Sequence, residues 1–131
     1  MKIQDFRLAK LEYDEAQNIL FYRVKGGTDI DVPEILEMID YVKTLIGERQ
    51  HMALVDFGDL TSSTEARQAY AVSEYINTYR LADAFLVKST AVRLTANFFI
   101  KVIKPKVTTK MFSEEADAVE WLNKLPVYTL V

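Results

Sequence analysis

Few side chains in this chain of 131 residues can do chemistry. There is one histidine, His51, and no cysteine. Thiolate nucleophiles and disulfides are excluded, along with most zinc sites and most Ser-His catalysis. His51 opens an apolar run after the charged "GERQ" turn, with no nucleophile or substrate partner apparent in the sequence. It reads as an ordinary surface histidine. The stretch "LVDFGDLTSSTEAR" (residues 54–67) is richer. Asp56 and Asp59 stand where an apolar run ends, a place where carboxylates in α/β proteins bind Mg²⁺ or act as acid–base groups. Two carboxylates alone suit a turn better than a metal site. The hydroxyls of Thr61, Ser62, Ser63 and Thr64 follow. Ser62 with Glu65 has the spacing of a capping box, the serine oxygen accepting from the Glu65 N–H while the carboxylate reaches back. A phosphate on Ser62 or Ser63 would lie at a helix N-terminus, where backbone N–H groups accommodate negative charge. No Gly-rich phosphate loop, metal cluster or nucleophile–base pair is visible, so no enzyme, cofactor or metal is expected.

The elements that must position these residues follow from changes of hydrophobic period. "FRLAKLEYD" (residues 6–14) and "ILFYRVKG" (residues 19–26) read as strands joined by "EAQN" into an antiparallel hairpin, ended by Gly26-Gly27. "DVPEILEMIDYVKTLIG" is an amphipathic helix with Ile35, Leu36, Met38, Ile39, Val42, Leu45 and Ile46 on one stripe. Asp31 with Glu34 resembles a capping pair, Pro33 is tolerated in the first turn, and Gly47 is the stop. "HMALVDF" and "ADAFLVK" suit strands buried on both faces. "STEARQAYAVSEYINTYR" and "TAVRLTANFFIKVI" read as single helices, the latter stopped by Lys104-Pro105. "KVTTKMF" is a strand, and "SEEADAVEWLNKL" a helix with Ser113 as N-cap and acidic residues in its first turn. "PVYTLV" is a tail. The order β-β-α-β-α-β-α-β-α predicts an α/β fold in a single domain over residues 1–131, a mixed sheet with crossover helices.

One domain's length and 50% hydrophobic residues are enough for a sizeable core. A formal net charge of −3 argues against a general nucleic-acid binder. The N-terminus has no apolar h-region and no run is long enough to span a membrane, so a cytoplasmic protein is expected. Charge is uneven. From Arg80 to Lys110 there are seven basic residues and one acid, a net +6 against −9 elsewhere. That segment could meet an acidic partner, anionic lipid headgroups or a second copy, although a solvated face is the plainer reading. Phe98, Phe99, Val102 and Ile103 share a helix with Arg93 and Lys101. Such a helix could dock on a membrane or cover an apolar pocket. Tyr70, Tyr75 and Tyr79 fall on one broad side of the preceding helix, and exposed tyrosines favour interfaces.

The element order, with "ALVDFGDLTSSTEARQAY" and "AFLVKSTAVRLTANFFIKVIKPKVTTKMFSEEADAVEWL", resembles the STAS domain of bacterial anti-sigma-factor antagonists. It resembles more closely the small bacterial STAS-like (SpoIIAA-like) proteins that are also grouped with the CRAL-TRIO lipid-binding fold. The phosphorylated loop of the antagonists reads Asp-Ser-Ser-Gly-Leu. Here the corresponding turn reads Asp59-Leu60-Thr61-Ser62-Ser63-Thr64-Glu65, with the hydroxyls but without the signature. The resemblance implies a non-catalytic, regulatory protein-interaction module that contacts a protein partner through Asp56, Asp59, Thr61, Ser62, Ser63 and Thr64. Its alternative is a carrier of a small apolar ligand or lipid, with the helix bearing Arg93, Phe98, Phe99 and Lys101 over the pocket. A homodimer held by the tyrosine- and Phe-bearing helices is the third expectation.

Overall fold

The computed structural model describes residues 1–25, 30–58 and 62–125. Six strands lie in sequence order across one sheet: β1 (Lys2–Asp5), β2 (Ala9–Asp14), β3 (Ile19–Val24), β4 (His51–Asp56), β5 (Arg80–Leu86) and β6 (Thr108–Phe112). β1, β2 and β3 form an antiparallel meander, and β3 to β6 run parallel. The expected opening hairpin therefore carries an additional strand. β1 was not foreseen because "KIQD" is an exposed edge with no apolar alternation to mark it.

The parallel strands are linked by α1 (Val32–Ile46), by α2 (Thr64–Ala71) with α3 (Glu74–Tyr79), and by α4 (Thr90–Phe98) with a π-helical turn (Phe99–Ile103). Every crossover steps in the same direction, so right-handed connections place all of these helices on one face. α5 (Glu115–Lys124) follows β6 and packs on the other face, against β4, β5 and β6. Period-two alternation then sorts each strand between two cores. Ile19, Phe21, Met52, Leu54, Ala84 and Leu86 pack with Ala118 and Leu122 of α5. Leu20, Tyr22, Ala53, Val55, Phe85 and Val87 face the crossover helices with Met38, Val42, Val92 and Phe99.

α1 forms as its sequence requires. Asp31 accepts from the Val32 N–H at 2.8 Å, and the Glu34 carboxylate accepts from the Asp31 N–H at 2.9 Å, closing the capping box. Gly47 stops the helix at φ 71°, a left-handed value that favours glycine, with its N–H on the Lys43 carbonyl. Met38, Ile39 and Val42 are buried, whereas Leu36 is exposed.

Three helix expectations need correction. Residues 63–80 form two helices rather than one, because Ser73 recaps the chain by accepting from the Ile76 N–H and Asn77 takes up the Ala71 carbonyl. The second break is subtler: after Phe98 the ladder widens into a π-turn, closed by Lys104 at φ 56°. α5 has Glu114, not Ser113, as its N-cap, with no side-chain cap bond. Gly26, Gly27, Asp59, Leu60, Thr61 and the "PVYTLV" tail lie outside the described residues.

Candidate functional site

A cavity of about 90 Å³ lies between the sheet and the crossover helices. Its floor is Tyr22 and Val24 of β3, Val55 of β4 and Phe85 of β5, toward the carboxyl ends of the parallel strands. Met38 and Ile39 of α1 and Val92, Ala96 and Phe99 of α4 and the π-turn supply the walls. Phe85 stands 5.8 Å from Phe99 and 5.1 Å from Phe57, ring centre to ring centre, so the apolar wall is largely aromatic on one side. Polar groups enter through Ser62, Arg67, Tyr70 and Thr95.

The hydroxyl turn forms one rim. Its cap is Ser63 rather than the expected Ser62: the Ser63 oxygen accepts from the Ala66 N–H at 3.0 Å. The same hydroxyl donates to the Asp31 carboxylate at 2.7 Å, and the Ser63 N–H donates to the Ile30 carbonyl. One serine therefore ties the starts of α1 and α2 together. Arg67 donates to the Ser62 carbonyl, to Ser62 Oγ at 3.2 Å and to Thr64 Oγ1 at 3.1 Å. A phosphate on Ser63 would face the Asp31 carboxylate and remove the cap. On Ser62 or Thr64 it would face Arg67 instead.

Asp56 is not brought to this rim. Its carboxylate accepts from the Gly58 N–H at 3.1 Å and lies 3.9 Å from Arg23, which also holds Glu12 and Glu115. Arg23 and Asp56 are register partners on the α5 face, opposite the cavity. Of the helix residues singled out from sequence, Phe99 is buried over the cavity, while Arg93, Phe98 and Lys101 are exposed.

Behind the cavity lies a polar network that sequence reasoning missed. Arg80 is a buried guanidinium, not part of a solvated basic face. It donates through Nε to His51 Nε2 at 3.0 Å, through Nη1 to Asp83 and to the Tyr70 hydroxyl, each at 2.6 Å, and through Nη2 to the Tyr22 hydroxyl at 2.6 Å. The Tyr70 hydroxyl donates to the second Asp83 oxygen at 2.7 Å. A register shift between His51 and Met52 makes this possible. Residues three apart on a regular strand face opposite ways, and the extra residue brings Arg80 and Asp83 to one face. The available signals were the lone carboxylate inside "LADAFLV" and the arginine just before it. Tyr22 and Tyr70 belong to both structures, since each lines the cavity. Tyr70 is thus directed inward rather than to an interface. Burial pushes its phenol well above the ordinary range. Burial opposes the charge of Arg80, yet the tyrosine oxygens and Asp83 around it hold the guanidinium protonated.

His51, expected at the surface, is fully buried. Because Nε2 accepts from Arg80, the ring proton sits on Nδ1 and meets the Arg49 carbonyl at 2.9 Å. Burial first, and the Arg80 charge second, push its pKa down to about 3. The imidazole is therefore neutral in the folded protein, while the unfolded chain takes up a proton near the ordinary 6.5. Stability from this group is complete above that value and is lost as pH falls from it toward about 3. One proton per pH unit is about 1.4 kcal/mol, so about 2 kcal/mol should disappear by pH 5. Urea denaturation at pH 7.5 and 5.0 checks this. Equal stability at the two values would contradict a buried neutral histidine.

A family model described as a domain of unknown function, DUF7793, matches residues 13–126, which take in β3 to β6 and all of the helices. The chain belongs to the DUF7793 family. The fold of this DUF7793 domain is similar to a crystal structure from Shewanella loihica PV-4, an uncharacterised protein of the DUF3478 family with a SpoIIAA-like fold. The TM-score is 0.62 and the identity 16%, with 92% of each chain covered. The DUF7793 domain is therefore a SpoIIAA-like, STAS-like α/β fold. No curated protein matches it. No helix among the described residues is long and apolar enough to cross a membrane, and no cluster of His, Asp or Glu among them could hold a metal ion.

Proposed function

We propose that the domain is a non-catalytic binding protein for a small apolar molecule, held in the cavity beneath α4 and the π-turn. The cavity itself carries this reading. Protein interiors are close-packed, with few voids larger than a water. The side chains lining this space of about 90 Å³ are chiefly apolar and lack partner atoms on that side, and a bound ligand supplies them. The position supports the reading, because open α/β sheets take ligands at the carboxyl ends of their strands. So does the lid, since π-helical turns are frequent at functional sites. Organic extraction of the purified protein followed by mass spectrometry should release one apolar compound per chain. A clean extract, with no uptake of an added short-chain alcohol such as butanol, would overturn the reading.

A second reading, the protein-interaction module, has its own observation. Leu94, Phe98 and Val102 are 66%, 47% and 60% exposed and recur every fourth residue along α4 and the π-turn, beside exposed Arg93 and Lys101. This stripe suits contact with an acidic partner protein. The cavity favours the ligand reading because it lies on the inner side of the same helix.

A further inference from the structure

We infer that the ligand of this cavity is a single-chain carboxylic acid whose headgroup is held by Arg67 and Ser62. The inference rests on the proposed binding function and names its ligand class.

Arg67 is on α2 and lines the cavity. Among the described residues its Nη groups donate only to neutral oxygens of Ser62 and Thr64. Its Nε–H is shut off from solvent and has no hydrogen-bond partner among them. Among the described residues no carboxylate pairs with this guanidinium, whereas Arg80 has Asp83 and Arg23 has Glu115. A cation drawn partly out of water is ordinarily paired, and a buried N–H ordinarily has an acceptor. Both demands are met by one anion entering from the cavity. Ser62 Oγ supplies a second donor. It accepts from Arg67, and its own proton has no acceptor among the described residues. Two donors match the two oxygens of a carboxylate.

A phosphate headgroup fits less well, since it carries more acceptor oxygens and more charge than this corner has open donors for. The remaining lining is chiefly aliphatic and aromatic, which suits an alkyl tail. About 90 Å³ holds only a short tail, of about four carbons, since a cavity of about 150 Å³ takes one benzene.

Calorimetric titration with butanoate and with butanol at pH 7.5 tests the inference, because the two share a tail and differ in the ionised head. The wild-type protein should bind butanoate about tenfold tighter or better, a margin worth about 1.4 kcal/mol. Arg67→Met should bring the two affinities within about twofold while retaining butanol binding, which also reports that the variant is folded. Equal affinities in the wild type would overturn the acid headgroup and leave the apolar cavity standing. Binding of neither probe would overturn both.

Discussion

Arg80→Met is expected to cost about 3–5 kcal/mol of folding stability, the range for stranding one member of a buried charged pair. The substitution keeps much of the side-chain volume and removes all the donors. The Asp83 carboxylate, 1% exposed, would then rely on the Tyr70 hydroxyl alone. His51 Nε2 would lose its donor, and Tyr22 and Tyr70 would each lose one. The penalty comes from what is left behind rather than from the net worth of the pair. Arg80→Met/Asp83→Leu, which removes both charges, should therefore recover a large part of the loss. Urea denaturation followed by circular dichroism measures both variants. A single-variant cost under about 1 kcal/mol would mean that the network is not desolvated. A double variant no better than the single one would mean that the loss is of packing, not of charge balance.

Val92→Phe is expected to weaken ligand binding by about 100-fold or more while changing stability by no more than about 1–3 kcal/mol, the range for overpacking a core. Val92 is 4% exposed and lines the cavity from α4. A phenyl ring in place of its isopropyl group points into the space the ligand would use. Because the ring meets a void rather than a packed wall, the usual clash is relieved. The same apolar area is buried whether a ligand or the ring supplies it. Titration with butanoate, alongside a thermal melt, checks both halves. Unchanged affinity in a folded variant would place the ligand elsewhere.

How much was legible in the sequence differs by element. β3 and β4 announced themselves as apolar runs, and α1 through its stripe, its Asp31–Glu34 box and Gly47, because local propensity and tertiary packing agree there. The α2–α3 break was hidden because apolar spacing continues through Val72 while the recapping depends on the Ser73 hydroxyl. The cap is Ser63 rather than Ser62 because a tertiary partner, Asp31, accepts the proton of the hydroxyl whose oxygen caps α2. His51, Arg80 and Asp83 were unreadable as a group, since a register shift between two strands is invisible in either strand alone. The cavity is harder still. It is an absence of atoms among ordinary Val, Ile and Phe side chains, and no residue type marks it. Its polar corner was partly visible: the turn at residues 62–64 drew attention through its hydroxyls, but Arg67, which gathers them, was read only as a helix residue.

Native mass spectrometry of protein purified without detergent, wild type beside Val92→Phe, tests whether the space under α4 is a ligand site. The expected result is a wild-type mass raised by one small apolar molecule, or raised by butanoate on its addition, and a Val92→Phe variant that stays bare under both conditions. A wild-type chain that stays bare in both, or a variant that carries the same added mass, would contradict it.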